Sequence, residues 1–162
     1  HPTQGLNASL ANGRIVKLGI VSRNAAATGD ALRAIFPTVP PPPEAPQPAF
    51  KVKTFTEYRG QRLDQPVDLG VANVFTENFW FEVLEPLGDT PNPWRDHLDA
   101  HGTSVCFVSI HVEAGLDDQA AAMANLGFSQ IWFEEKGYER YSYFDTTDLL
   151  GFLVEVKEKA PH

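Results

Sequence analysis

The order strand, helix, strand, strand, strand can be read twice along this chain, and that doubling constrains the fold more than any single motif. The first copy opens with a strand at 14–22 and a helix at Ala25–Phe36, where Ala31, Leu32, Ile35 and Phe36 recur at helical spacing. Strands in "FKVKTFTEYR", "VDLGVANVF" and "NFWFEVLEP" complete it, the last closed by Pro86. The second copy has a strand in "TSVCFVSIHVE" and a helix in "GLDDQAAAMANLG" stopped by Gly127. Strands in "FSQIWFEE", "RYSYFDT" and "LLGFLVEVKE" follow. The halves share order rather than residue identity. The fold class expected is α+β: two βαβββ modules that build a cup-shaped mixed sheet.

Punctuation sets the boundaries. Residues 1–12 read as a polar N-terminal arm, 13–86 as the first module, 87–102 as a linker and 103–158 as the second module. Within the first module, Pro37 stops the helix and a proline-rich connector spans 37–49, with four consecutive prolines at 40–43. Such a segment favours polyproline II over sheet pairing, as a stiff spacer or as a ligand for an aromatic groove on a partner. In the linker, Asn92 is placed to cap a short helix, Pro93 to start it and Gly102 to end it.

With 162 residues, 43% hydrophobic and 21% charged, the chain is long enough to bury a substantial core. Its formal net charge of −8 and lack of a Lys/Arg cluster argue against nucleic acid and leave small molecules or other proteins as partners. No apolar run approaches a membrane span. The single cysteine, Cys106, allows no internal disulfide and reads as an inert buried residue between Val105 and Phe107. The N-terminal residue is His1 rather than Met, which suits removal of a signal peptide, a tag or another tail; Asn7-Ala8-Ser9 fits a glycosylation sequon, a triplet common by chance, which would accord with a secreted or luminal protein.

Strand alternation places the chemistry. In the first strand Val16, Leu18 and Ile20 suit packing on a helix, which turns Ile15, Lys17, Gly19 and Val21 to the other side. A lysine there is unexpected, because lysine is seldom buried unless paired. In "NFWFEVLE", Phe79, Phe81 and Val83 form the apolar set, leaving Trp80 and Glu82 opposite. In "VCFVSIHV", Cys106, Val108, Ile110 and Val112 pack, leaving Phe107, Ser109 and His111. In "GFLVEV", Phe152, Val154 and Val156 pack, leaving Glu155. Each strand turns its odd residue to the face opposite its helix. Trp80, Phe107, Tyr141 and Tyr143 are the aromatic candidates for lining a ligand site, with Trp94 and Trp132 as further aromatics not assigned to a face. The alternative is that they fill the space as core. His111 is a candidate general base near neutrality, or a rim residue without a role. His97 and His101 read as surface or turn residues.

The doubled module, together with "VKLGIVS", "FEVLEPLGDTPNPWRDHLDAHG", "SVCFVSIHVE" and "GYERYSYFDTTDLLGFLVEV", resembles the vicinal oxygen chelate superfamily, and within it the methylmalonyl-CoA epimerase type. The resemblance spans 14–158 apart from the proline-rich segment. It implies a cup facing a small-molecule site, where metal enzymes of the family hold a divalent cation with His, Glu or Gln, His and Glu. The matching positions are Lys17, Glu82, Phe107 and Glu155, so both histidine positions are substituted. The expectation is therefore a metal-independent isomerase, cyclase or lyase without cofactor. It would take an apolar oxygenated organic substrate of the natural-product kind. Lys17, Glu82, Glu155 and His111 would be catalytic; Trp80, Phe107, Ser109, Tyr141 and Tyr143 would bind substrate. Lys17 would stand for the cation between Glu82 and Glu155. Alternatives are a salt bridge that only joins the modules, a divalent metal on Glu82 and Glu155 in an epimerase or glyoxalase-type enzyme, and a non-catalytic binding protein. Such proteins often dimerise, so a homodimer is admitted.

Overall fold

The computed structural model describes residues 13–43 and 54–158. The arm at 1–12 with its sequon at Asn7, the second half of the proline-rich connector and the first residues of the "FKVKTFTEYR" strand lie outside the described residues. The chain divides into two compact units. Among the described residues, one holds 16–43 and 64–108; the other holds 13–15, 54–63 and 109–158.

In the first unit, β1 (Arg14–Val21) runs parallel to β5 (Trp80–Leu87), which pairs antiparallel with β4 (Asp68–Phe75). Helix α1 (Ala25–Ile35) starts where the Asn24 side chain accepts the Ala27 N–H at 3.0 Å, and it ends at Phe36, ahead of Pro37. Its Ala25 and Leu32 pack with Val74, Phe81 and Val83, joined by Leu18 and Ile20. Alternation thus assigned the helix-facing sides of β1 and β5 as observed. Helix α2 (Pro93–His101) begins with Asn92 accepting the Arg95 N–H at 2.7 Å and ends at Gly102, whose φ of 71° suits a residue without a Cβ. One expectation is corrected here: Pro86 does not close β5 but sits inside it, opposite Leu69. Pairing with β1 reaches only Leu84, so a residue without an N–H interrupts no bond to β1.

In the other unit, β2 (Phe55–Tyr58) and β3 (Gln61–Arg62) form a hairpin through Arg59 and Gly60, both at positive φ, the conformation a two-residue turn requires. β2 pairs antiparallel with β7 (Gln130–Glu135), β7 with β8 (Arg140–Phe144) and β8 with β9 (Leu153–Glu158). β2 was expected to complete the module at 13–86; here it pairs with a strand from the second half of the chain. Helix α3 (Leu116–Asn125) packs Leu116 and Met123 on Phe144 and Val156, with Val112 and Phe133 beside them. "LLGFLVEVKE" is also not strand throughout: Leu149 and Leu150 belong to a short helix, α4 (Thr147–Leu150), closed by Gly151 at φ 81°, and the strand starts at Leu153. β6 (Ser104–Val112) contributes residues up to Val108 to the first unit and from Ser109 to the second. No described helix is long and apolar enough to cross a membrane.

α3 starts on Gly115, which has no side chain to cap it. Glu158 substitutes from the last strand, accepting the Leu116 N–H at 2.9 Å and pairing with Arg140 at 3.3 Å while itself buried. Glu158→Ala should cost about 2–4 kcal/mol, because it strands a buried N–H and a half-buried guanidinium. Urea denaturation reads this. A loss under about 0.5 kcal/mol, the range of an ordinary surface change, would show that the helix start does not depend on it.

Candidate active site

The face of β1 and β5 opposite α1 carries the anomalous lysine. Lys17 is 2% exposed. Its Nζ lies 3.4 Å from Glu82 Oε1, 5.5 Å from the Trp80 ring centroid and 5.7 Å from that of Phe107. Strand register produces this cluster. Lys17 pairs with Trp80 and Gly19 pairs with Glu82, so the lysine reaches its carboxylate along the diagonal. Gly19 leaves that path open. A Cβ there would fall 2.1 Å from the Phe107 ring, which occupies the space instead and is fully buried. An ammonium between two aromatic rings and a carboxylate is stabilised electrostatically from three directions.

The second unit presents its own set on one strand face. The Ser109 hydroxyl donates to Glu155 Oε1, with both residues buried. Tyr143 stands opposite Glu155 across β8 and β9, and Tyr141 stands edge-on to Tyr143 at 5.8 Å. The Tyr141 hydroxyl donates to Glu134 Oε2. Burial, and then the charge of Glu134, hold the Tyr141 hydroxyl well above its ordinary pKa, so it stays protonated and serves as a donor. Lys157 Nζ lies 5.1 Å from the centre of the Tyr141 ring. His111 is half-buried, two residues along the strand from Ser109.

The expected residues therefore fall into two groups: Lys17, Glu82, Trp80 and Phe107 in one unit, and Ser109, Glu155, His111, Tyr141 and Tyr143 in the other. Trp94 lies buried in α2 rather than on a strand face, while Trp132 is buried in β7 opposite Tyr143. Glu134 and Lys157 escaped the sequence reading. Both follow from alternation: Phe133 of β7 and Val154 and Val156 of β9 take the α3-packed face, which leaves Glu134 and Lys157 to the other.

The residues that the sequence resemblance would match to metal ligands do not suit a divalent ion. Lys17 already pairs with Glu82, Phe107 brings no donor atom, and Glu155 accepts a serine hydroxyl. Among the described residues, no group of three or more His, Cys, Asp or Glu side chains is placed to hold a metal. An ammonium in contact with a carboxylate repels a second cation and supplies the charge that one would bring.

No protein-family profile matches the sequence, and no curated protein sequence matches it. Solved structures do match. Methylmalonyl-CoA epimerase from Mycobacterium tuberculosis aligns at a TM-score of 0.57 and 16% identity, covering 91% of this chain and 88% of that one. A variant of the Streptomyces coelicolor epimerase in complex with 2-nitronate-propionyl-CoA gives 0.55 and 16%, covering 91% and 94%. A methylmalonyl-CoA epimerase in complex with methylmalonyl-CoA and NH4+ gives 0.55 and 15%, covering 91% and 98%. The chain has the vicinal oxygen chelate fold.

Proposed function

We propose that this chain is an enzyme of the vicinal oxygen chelate fold that works without a metal. It moves a proton at carbon beside a carbonyl in an apolar, oxygenated organic molecule, and so drives an isomerisation, cyclisation or elimination. The observation that carries this reading is the buried Lys17 ammonium, held by Glu82 between Trp80 and Phe107. When a carbon next to a carbonyl loses its proton, negative charge gathers on the carbonyl oxygen. A fixed ammonium in a poorly hydrated place stabilises that charge more than it stabilises the neutral ground state. Glu82, partly exposed and in contact with that ammonium, is positioned to take the proton. The partly exposed Trp80 ring favours the apolar body of the substrate. One of the similar structures is a complex with methylmalonyl-CoA and NH4+; this chain brings an ammonium of its own, on a covalent tether. Glu155, oriented by Ser109, and the protonated Tyr141 are the acid–base candidates of the second unit.

Hydrogen–deuterium exchange tests the reading before the substrate is known. Protein stripped with EDTA is incubated in D2O with β-dicarbonyl compounds, aryl ketones and thioesters, methylmalonyl-CoA among them, and carbon-bound protons are followed by NMR. Protein-dependent exchange without added metal is expected. Exchange that starts only on adding a divalent ion would replace this reading with the metal-dependent one. A compound held tightly and returned unexchanged would make the chain a binding protein.

A further inference from the structure

His97 and His101 lie on α2, and the proposed chemistry does not use them. They are four residues apart, so their side chains project from the same side of the helix, one turn apart. Their ring centroids are 4.5 Å apart, with the planes inclined at 48°. His97 is 8% exposed, whereas His101 is open to solvent. The His97 ring is hydrogen-bonded to the Val105 backbone in a way that favours its protonated form, so a ring N–H donates to the carbonyl. That bond fixes the tautomer and leaves the other ring nitrogen with its lone pair. A histidine held by a backbone carbonyl on one nitrogen is the arrangement that orients metal-ligating imidazoles.

We propose that His97 and His101 form a two-imidazole chelate for a borderline divalent transition cation such as Zn2+, with water filling its remaining positions. Imidazole suits this class of ion better than Mg2+ or Ca2+, which take oxygen ligands. At Zn–N distances of about 2.0–2.1 Å, two nitrogens on one tetrahedral ion stand about 3.4 Å apart. Rings with centroids 4.5 Å apart reach that separation by turning the exposed His101 side chain. The chelate would clasp the last turn of α2, just before Gly102 breaks the helix and β6 begins.

Calorimetric titration of untagged, EDTA-stripped protein with zinc chloride tests this, with His101→Gln as the comparison. The exposed position of His101 makes loss of the fold by this substitution unexpected, and circular dichroism checks it. One equivalent of Zn2+ should bind the wild-type protein, and His101→Gln should weaken that binding at least tenfold. Zn2+ should also raise the melting temperature of the wild type and leave that of the variant unchanged. Absence of Zn2+ binding by the wild type, or equal binding by both proteins, would overturn the assignment. The second result would place the metal on other side chains. Both outcomes are independent of the exchange assay.

Discussion

Lys17→Met should slow metal-free proton exchange by about 10²–10³-fold, the scale on which loss of one preorganised charge-stabilising group acts. Methionine nearly keeps the length of lysine and removes only its charge. The fold should survive. Lys17 is 3% exposed as a side chain, so its ammonium has already given up its water, while its partner Glu82 is 22% exposed and can still be hydrated if the lysine goes. Replacing a buried charge with an apolar group of similar volume is often neutral or stabilising. The stability change is expected to stay within about 2 kcal/mol in either direction. Exchange kinetics and urea denaturation on the same preparation separate the roles. Unchanged exchange together with a loss of about 3–5 kcal/mol would make Lys17 a structural strut and end the catalytic reading.

Gly19→Ala should destabilise the protein by about 3 kcal/mol or more, at or beyond the upper end of what overpacking a core costs. In most strands the same change helps, since glycine is the more flexible residue in the unfolded chain. Here the new Cβ would meet the Phe107 ring at 2.1 Å, and that ring has no exposed surface into which to retreat. Phe107→Ala alone should cost about 3–5 kcal/mol through the cavity it leaves. Combined, the two changes should cost clearly less than their sum, because removing the ring clears the space that the methyl group needs. Additive effects in this double-mutant cycle would mean that Phe107 does not lie over Gly19. Displacing the ring also disturbs one wall beside Lys17, so Gly19→Ala should slow exchange as well.

Period-two alternation was sufficient to assign the sides of the strands, because it is a local property of pleated backbone. Leu18 and Ile20 turn to α1 and Lys17 away from it; Phe81 and Val83 part from Glu82 in the same way, as Val154 and Val156 do from Glu155. The cap at Asn92, the start at Pro93 and the stop at Gly102 were equally legible, since each satisfies the backbone within its own turn. Non-local features were not legible. Nothing within "FTEY" says that its hydrogen bonds go to β7, more than 70 residues away in the chain, because either sheet edge could take them. Four residues are too few for Thr147–Leu150 to show a helical period, so Leu149 and Leu150 read as strand. Pro86 could be placed inside β5 only once the end of β1 was known.

The candidate site divides along the same line. That Lys17, Glu82, Ser109 and Glu155 leave their helix-packed faces was determined by the sequence alone. That Lys17 meets Glu82 at 3.4 Å depends on the register that sets Gly19 opposite Glu82, and on a phenyl ring filling the space beside it. Register and close packing are decided between strands, by the order in which distant segments come together. Only the tertiary structure could therefore turn a lysine on the right face into an ammonium held against a carboxylate.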